Sequence, residues 1–211
     1  MITVIEPHDA AEHRKLMEEM FRLRARAFRN GMGRDVQVAD GMERDKYDDE
    51  APVYLIYSDD GAREVKGCLR LLPTTGPTVF ADFFSDTLPE AVHLSAPSIW
   101  ECTRFCLDDR ILSRGDQAVY FASAVLIAAL GDLAIKASIE SILGHFDSTM
   151  LRSYRRIGCE VDVLGSTQRH GQPIYLGLFP ISEPMLRKVK RKLTNAQALM
   201  EKSTQGELLV A

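Results

Sequence analysis

Three charged residues, Arg70, Glu101 and Arg104, lie in sequence segments that otherwise have the apolar character of buried β-strands. Burying an isolated charge costs several kcal/mol, so such residues persist in a sheet only when they are paired or face a polar cleft. A chain of this kind therefore reaches a stable fold only if other segments bring opposite charges or polar groups to the sheet.

The acidic stretch GMERDKYDDE, residues 41–50, is the nearest source of such partners. It places Glu43, Asp45 and Asp48 before the apolar run PVYLIY, and a further cation, Arg24, lies in the first predicted helix. Acids at a strand end can mark only a solvated turn, and they can also form a buried ion network with the arginines. We favour a third interpretation, a cleft for a zwitterionic ligand, because carboxylates bind an ammonium or sulfonium group and guanidinium groups bind a carboxylate.

Helical and strand-like patterns alternate along the chain. A helix with an N-cap signal at Asp9 runs through Phe28, and strands follow at Val53–Ser58 and 64–72, joined by a turn at 59–61, with a short helical piece at 79–88. The remaining prediction comprises strands at Ile99–Leu107, 139–143, 160–164 and 174–179, helices at 116–137 and 148–156, and a basic C-terminal helix.

This alternation predicts an α/β protein. Because no linker or repeat interrupts it, we expect a single three-layer α/β/α domain with a mixed central sheet over residues 1–211. Within it, the N-terminal segment 1–50 is expected to pack on the core.

The composition excludes several classes of function. The chain has 211 residues, 45% of them hydrophobic, and a formal net charge of −4, which argues against a nucleic-acid-binding protein.

The longest uncharged run, 117–131, is shorter than the ~20 apolar residues of a membrane-spanning helix and predicts a buried core helix. The first residues lack the pattern of an export signal, so we expect a cytoplasmic protein. Four cysteines without a CxxC pair and five scattered histidines predict no metal site.

The strand Ile99–Leu107 carries the candidate chemistry. Strict alternation places Glu101, Thr103 and Phe105 on one face and Arg104 on the other, so Arg104 needs a bulge or a strand end to join Glu101 and Thr103. A carboxylate held among apolar neighbours has a pKa raised toward the range in which it serves as a general base, directly or through one water. Glu101 is therefore the candidate base.

Several of these segments together resemble a known family. They are FRLRARAF with Arg24 and Phe28, GMERDKYD with Glu43, Asp45 and Asp48, GCLRLLPTTGPT with Arg70, then Phe84, and SIWECTRF with Glu101 and Arg104. In these the chain resembles the acyl-homoserine-lactone synthases, the LuxI-type autoinducer synthases of bacterial quorum sensing. The resemblance implies a fold like that of the GNAT acyltransferases. It also implies two substrates, S-adenosylmethionine and an acyl thioester, and no cofactor.

The resemblance also implies roles for individual residues. Glu101 matches the family's proposed base for acylation of the S-adenosylmethionine amine, with Thr103 and Arg104 in the same catalytic strand. The residues expected to hold S-adenosylmethionine are Arg24, Phe28, Arg34, Asp45, Asp48, Arg70 and Phe84, with Arg70 organising the others. Phe84 packs against a substrate in this interpretation, and plain core packing is the alternative.

Two positions depart from the family pattern. Arg34 stands where the family has tryptophan, in the segment that binds S-adenosylmethionine. Phe146 stands where synthases of 3-oxoacyl products often have threonine, and Phe105 and Phe146 are expected to line the acyl pocket. Because a phenyl ring cannot form a hydrogen bond with a 3-oxo group, we expect an unsubstituted or 3-hydroxy acyl product.

The acyl donor of the family is usually acyl carrier protein, and acyl-CoA is the alternative. Acyl carrier protein is acidic, so a basic docking surface is expected. The candidates are Arg152, Arg155 and Arg156 in MLRSYRRIG, and Arg110 and Arg114 elsewhere, each with a simple solvated surface as the alternative. The basic cluster 187–192 is interpreted as the solvent face of an amphipathic helix, with an acidic partner as the second reading.

Two rival functions differ in class. The first is a general GNAT-type N-acyltransferase that uses another amine, although the usual glycine-rich pyrophosphate motif is absent. The second is a degenerate protein that binds S-adenosylmethionine or the acyl carrier without turnover, and Arg34 is its support. Release of methylthioadenosine separates the first rival from a synthase. Binding without turnover, together with turnover restored by Arg34→Trp, would favour the second.

Overall fold

The computed structural model describes residues 1–29, 36–59, 61, 64–85, 88, 94–169 and 171–208. Its helices are α1 (Arg14–Arg29), α2 (Val79–Phe83), α3 (Asp109–Leu112), α4 (Asp116–Lys136), α5 (Ser148–Ile157) and α6 (Glu183–Leu208). Its strands are β1 (Ile2–Ile5), β2 (Val38–Ala39), β3 (Met42–Glu43), β4 (Val53–Ser58), β5 (Val65–Pro73), β6 (Ile99–Leu107), β7 (Ser141–Phe146), β8 (Asp162–Arg169) and β9 (Gln172–Pro180). A 3-10 turn covers Lys46–Asp49.

Seven strands form one sheet in the order β1-β4-β5-β6-β7-β9-β8, and β2 and β3 form a separate antiparallel pair. Neighbours in the large sheet are antiparallel except β6 and β7, which run parallel, so the sheet is mixed as predicted. The parallel pairing joins residues 99–102 to residues 141–144 and ends there, although both strands continue. Beyond that point the space between β6 and β7 is part of a cavity.

Helices cover both faces of the sheet and give the three predicted layers. Along β4, Val53 and Leu55 pack into the core cluster that contains Leu126 of α4, whereas Tyr54 and Ile56 pack into the cluster formed with α1. This alternation is the period of two expected for a strand that is covered on both sides. Helices α5 and α6 pack on the same side as α4.

Helix α4 is the central core helix. Among the described residues it is the one helix long and apolar enough to cross a membrane by length and composition alone. In the fold it lies between the sheet and α6, and residues such as Ala124 and Leu126 have no exposed surface. Its apolar sequence is thus accounted for by packing on two sides.

Strand β6 contains a β-bulge at Arg104. Its pairing with β5 passes from Cys68↔Cys106 to Arg70↔Thr103, so β6 has one residue more than β5 in this stretch. Arg104 has a φ of +54°, in the left-handed region that non-glycine residues rarely adopt. The bulge places Arg104 on the same face as Thr103. The sequence predicted that Arg104 could join Glu101 and Thr103 only through such a bulge or a strand end.

The same bulge reverses the predicted orientation of Phe105. Uninterrupted alternation places Phe105 beside Glu101 and Thr103, and this prediction is wrong. The extra residue turns Phe105 to the opposite face, where it packs against the α4 core and meets the ring of Tyr154 edge-on, with centroids 6.3 Å apart.

Most predicted elements occur, with differences at their ends. β4 and β6 have the predicted bounds, β7 begins later and extends through Phe146, and the helix predicted at 79–88 ends at Phe83. The first helix begins at Arg14, so the predicted N-cap at Asp9 is wrong, and turns occupy residues 7–13. The short strands β1, β2 and β3 were not predicted. In the turn at 59–61, residue 60 lies outside the described residues.

Candidate active site

A buried ion network joins the acidic stretch at 41–50 to helix α1. Arg24 donates from Nε to Glu43 at 2.5 Å, and its Nη1 and Nη2 donate to the two oxygens of Asp48 at 2.8 and 2.9 Å. Glu43 ends β3, and Asp48 lies in the 3-10 turn. None of the three side chains has exposed surface, so the acids are withdrawn from solvent and held by α1.

Two arginines of the sheet complete the network. Arg70 of β5 donates to Asp48 at 2.9 Å and also contacts both oxygens of Asp45. Arg104, at the bulge of β6, donates from Nη2 to Glu43 at 2.8 Å and to Asp45 at 2.6 Å. Together with the bonds of Arg24, each of the three acids therefore contacts two arginines, which offsets the cost of burying the charges.

The local sequence around Asp45 fixes the acids in one direction. The side chain of Asp45 accepts a hydrogen bond from the backbone N–H of Tyr47 at 3.0 Å, and Asp48 accepts one from the backbone N–H of Asp45 at 2.8 Å. This reciprocal pattern is a capping box at the start of the 3-10 turn. The charged stretch is therefore a structured segment that faces the sheet, and a simple solvated turn is excluded for it.

The network holds its charges in the ionised form. Burial alone would raise the pKa of Asp48, but Arg24, Arg70 and a hydrogen bond from Tyr54 outweigh burial and hold this pKa well below its usual value. Tyr54 donates its hydroxyl to Asp48 at 2.6 Å. Burial would lower the pKa of Arg24, yet Asp48 and Glu43 raise it.

Glu101 lies on β6 beside this network and has no exposed surface. Its oxygens accept hydrogen bonds from the backbone N–H groups of Val79 at 2.9 Å and Phe80 at 2.7 Å, in the first turn of α2. Burial raises the pKa of Glu101 to about 7, against the two backbone hydrogen bonds and the charge of Arg70, which lower it. A carboxyl group with such a pKa exchanges a proton near neutral pH, as a general base must.

Thr103 follows Glu101 on the same face of β6. Its Oγ1 accepts a hydrogen bond from Nε of Arg70 at 3.0 Å. Arg70 therefore joins the acidic network to the strand that carries the candidate base.

A cavity of about 1290 Å³ opens beside the network, and Thr103 lines it whereas the buried Glu101 lies behind its wall. One end is charged and aromatic, and the other is an apolar arm that enters the space between β6 and β7. The charged end is lined by Phe28, Asp45, Phe84, Thr103 and Arg104, and the apolar arm by Phe105, Ile127, Leu130, Phe146, Tyr154, Phe179 and Met185. Both Phe105 and Phe146 thus line the apolar arm, and their role in an acyl pocket stays a prediction.

The residues predicted to hold S-adenosylmethionine divide into two groups. Phe28, Asp45, Phe84 and Arg104 line the cavity, whereas Arg24, Asp48 and Arg70 lie behind it in the buried part of the network. The guanidinium group of Arg104 lies 4.8 Å from the centroid of the Phe28 ring. Arg34 lies outside the described residues.

The predicted docking arginines lie on exposed surface. Arg152, Arg155 and Arg156 are exposed on α5, and Arg156 also covers the ring of Tyr120 at 4.9 Å. In the second candidate surface, Arg110 is already paired with Asp108 at 2.7 Å and with Glu64 at 3.0 Å. Among the described residues, the α5 surface therefore has more arginine side chains that are not already paired with an acid. The docking role itself stays a prediction.

Sequence reasoning did not identify His145 of β7. Its Nδ1 lies 3.9 Å from Oε1 of Glu101, and its ring centroid lies 3.9 Å from that of Phe84. The sequence offers no signal for this contact, because a lone histidine in SILGHF has no charged or polar pattern around it. Only the parallel pairing of β6 and β7 brings it to Glu101.

The fold and the site together define an acyltransferase-like α/β protein. The sheet is mixed and opens between the parallel strands β6 and β7, with a buried candidate base beside the opening and an apolar arm inside it. An aminoglycoside 6'-acetyltransferase type Ii has the same fold at 11% identity, with a TM-score of 0.52 over 86% of this chain and 97% of that one. The family model for autoinducer synthases matches residues 8–189.

Individual relatives agree with the family match. An acyl-homoserine-lactone synthase of Rhizobium etli is 36% identical over 196 residues, covering 92% of this chain and 91% of the relative. The CoA-dependent acyl-homoserine lactone synthase BjaI, solved with SAM and isopentyl-CoA, superposes with a TM-score of 0.80 at 25% identity, over 92% of this chain and 89% of BjaI. The chain belongs to the autoinducer synthase family of acyl-homoserine-lactone synthases, which are acyltransferases.

Proposed function

We propose that this chain acylates the amine of S-adenosylmethionine with an acyl thioester and then closes the product to an acyl-homoserine lactone, releasing methylthioadenosine. The observation that carries the proposal is a buried carboxyl group, Glu101, next to Thr103 and the ion network, at the charged end of a cavity whose other end is apolar. BjaI, a structural relative, has been solved with MTA and with SAM and isopentyl-CoA, which supports the same pair of substrate types here.

The exposed members of the ion network bind the amino-acid part of S-adenosylmethionine. Asp45 and Arg104 retain 20% and 17% exposure, whereas the other network side chains are fully buried. In this arrangement Arg104 holds the substrate carboxylate and Asp45 attracts the ammonium group. Phe28 and Phe84 contact the sulfonium and the nucleoside, because aromatic faces attract cations.

Glu101 prepares the amine for attack. An ammonium group cannot attack a carbonyl carbon until it loses a proton, and a carboxylate with a pKa of about 7 accepts that proton near neutral pH. Glu101 has no exposed surface in the substrate-free site, so we assign the transfer to one water that enters with the substrate. The nitrogen then bonds to the thioester carbonyl carbon, the carbon–sulfur bond breaks, and the thiol leaves.

The acylation step creates negative charge on the former carbonyl oxygen. The pairing of β6 with β7 ends at Cys102 and Gly144, and we assign the oxyanion to backbone N–H groups of β6 that face the opening beyond that point. Lactone closure needs less assistance. The carboxylate oxygen bonds to the γ-carbon, the bond from that carbon to the sulfonium breaks, and neutral methylthioadenosine leaves, so positioning by Arg104 is the main requirement.

We propose acyl carrier protein as the donor, docked on the exposed arginines of α5 and held by charge complementarity. Acyl-CoA is the second candidate, because the relative BjaI is CoA-dependent. Neither step changes an oxidation state, so we propose that no cofactor is needed. We propose that the reaction takes place in the cytoplasm.

The test is mass spectrometry of lactone and methylthioadenosine formed by purified protein from S-adenosylmethionine and acyl donors. Glu101→Gln should reduce turnover by at least about 100-fold while S-adenosylmethionine binding persists, and Glu183→Gln, on exposed α6, should leave both unchanged. Acylation without methylthioadenosine release would favour the general acyltransferase. Binding without any turnover by the unaltered chain would favour the degenerate protein.

A further inference from the structure

His145 is a largely buried titratable group beside the candidate base, and no step described above uses it. It lies on the same face of the sheet as Glu101, although its strand neighbour Phe146 points to the other face, toward Tyr154. Its side chain is 12% exposed. The sequence thus places an imidazole where an apolar residue would satisfy packing alone.

The aromatic side chains of α2 and its C-cap hold the ring of His145 in place. Phe84 lies against it at 3.9 Å between centroids, with the planes tilted by 31°, and Phe80 stacks further away at 6.3 Å. The backbone of Phe80 meanwhile donates its N–H to Oε1 of Glu101, the same oxygen that His145 approaches. One short helix therefore positions both members of the pair.

Near neutral pH the imidazole is uncharged. Burial, together with the nearby positive charge of Arg169, lowers the pKa of His145 to about 4. A neutral imidazole has one N–H donor and one acceptor nitrogen. With Glu101 ionised at 3.9 Å from Nδ1, the tautomer that carries its proton on Nδ1 is favoured, because it directs the donor toward the carboxylate.

We propose that His145 is a positioning residue that directs an Nδ1–H donor to Glu101, keeping the base ionised and correctly oriented when S-adenosylmethionine binds. The proposal rests on the proposed synthase function. A separation of 3.9 Å is too long for a hydrogen bond in the substrate-free site, and catalytic hydrogen bonds commonly shorten in the complex.

A second observation supports a ring that moves on binding. Nε2 of His145 is buried and has no hydrogen-bond partner among the described residues. Buried polar atoms without partners are uncommon and costly, and they persist where function requires them. A small shift of the ring toward Oε1 would strengthen the contact with Glu101 and release Nε2 from this position.

Other charges also act on the pair and must stay unchanged in any test. The groups whose charge or proton bears on Glu101 or His145 are Asp45 and Tyr47 of the N-terminal segment, Arg70 of β5, Cys102 of β6 and Arg169 of β8. Substitutions at position 145 alone leave all five in place. A change in the pH profile can then be assigned to the imidazole.

The experiment is the pH profile of methylthioadenosine release for His145→Phe, His145→Asn and the unaltered chain. Phenylalanine keeps the packing on Phe84 but removes the donor, so the pKa of the base should rise by about one unit. Activity should fall about 10-fold at pH 6.5 and recover at pH 8.5. Asparagine supplies an N–H near the position of Nδ1 and should move the midpoint back toward that of the unaltered chain.

The outcomes separate two failures. If the unaltered chain releases no methylthioadenosine, the proposed function fails before His145 is tested. If it does, but His145→Phe has an unchanged midpoint or an equal loss at every pH, the positioning role is wrong and packing suffices. His8→Phe, at a side chain that is 73% exposed, controls for the loss of a histidine elsewhere.

Discussion

Arg104 donates from Nη2 to Oε1 of Glu43 at 2.8 Å, across 61 positions of sequence. This bond joins the bulge of β6 to the short strand β3. Because the same glutamate also accepts a hydrogen bond from Arg24, one carboxylate connects α1, the acidic stretch at 41–50 and β6. The acidic stretch at 41–50 is therefore held on the sheet by charge as well as by apolar contact.

Replacing Glu43 by glutamine should destabilise the fold. The change leaves Arg24 and Arg104 with one carboxylate partner fewer in a buried setting, and breaking such a pair costs roughly 3 kcal/mol. Urea unfolding of Glu43→Gln measures the loss. Glu50→Gln, at an exposed position, is the matched control, and an equal small effect in both variants would contradict a structural role for the network.

Asp48 should give the protein a specific acid sensitivity. Its pKa in the fold is held below the ordinary value of 3.8, so its stabilising effect is complete above about that pH and is lost as the pH falls toward the lowered pKa. Asp48→Asn should lower stability at pH 7 by on the order of 2 kcal/mol and flatten the loss of stability below pH 4. Unfolding free energies from pH 2.5 to 7 measure this.

The control for that experiment is its neighbour Asp49, whose side chain is 77% exposed. Asp49→Asn should retain the full acid dependence. If Asp48→Asn retained it as well, the acid sensitivity would come from other carboxylates.

The central features of the site were accessible from sequence because charges inside strands demand partners. Arg70 and Arg104 required acids nearby, and the stretch at 41–50 supplied them. Glu101 required donors, which the backbone N–H groups of Val79 and Phe80 supply. The need for a bulge at Arg104 followed from the alternation of β6, and the bulge is present.

Other features depended on tertiary contacts that leave no local pattern. The predicted orientation of Phe105 was wrong, because predicting it correctly requires knowing where in β6 the extra residue lies. The strand Ile2–Ile5 is defined by its pairing with β4, and a four-residue segment has too little alternation to reveal it. The contact of His145 with Glu101 arises from the register of two strands that are distant in sequence.

The acyl product should carry no 3-oxo group. Phe146 is 2% exposed and packs edge-on against Tyr154 and Phe179. This part of the arm therefore presents aromatic carbon atoms to the acyl group. A phenyl ring offers no donor to a 3-oxo oxygen. Mass spectrometry should therefore find mainly unsubstituted or 3-hydroxyacyl lactones, and a dominant 3-oxo product would refute the assignment.

Gly177 should control the length of acyl chain that the arm accepts. A Cβ at this position of β9 would lie 2.7 Å from ring atoms of Phe146 and from Val161, so Gly177→Ala must displace that ring. Displacement toward the cavity shortens the arm. The ratio of kcat/KM for long over short acyl donors should fall about 10-fold, because each lost methylene contact is worth a factor of this order.

The matched control for that change is Gly76→Ala, where the nearest atom to an added Cβ is 3.9 Å away. It should leave the chain-length preference unchanged. A uniform loss of activity for all donors in Gly177→Ala would indicate general damage to the sheet and would count against a specific effect on the arm.

Charge reversal on α5 should distinguish the two candidate donors. Arg152 and Arg155 are exposed, and a carrier protein that docks through its acidic surface loses attraction when they become glutamate. The double variant should raise KM for an acyl carrier protein about 10-fold, with a weaker dependence on salt, while KM for the corresponding acyl-CoA changes little. Arg114→Glu, on the second candidate surface, should have little effect. Equal losses with both donors would show that α5 acts on the acyl arm and is not a docking surface. A loss confined to Arg114→Glu would show that the carrier protein docks on the second candidate surface.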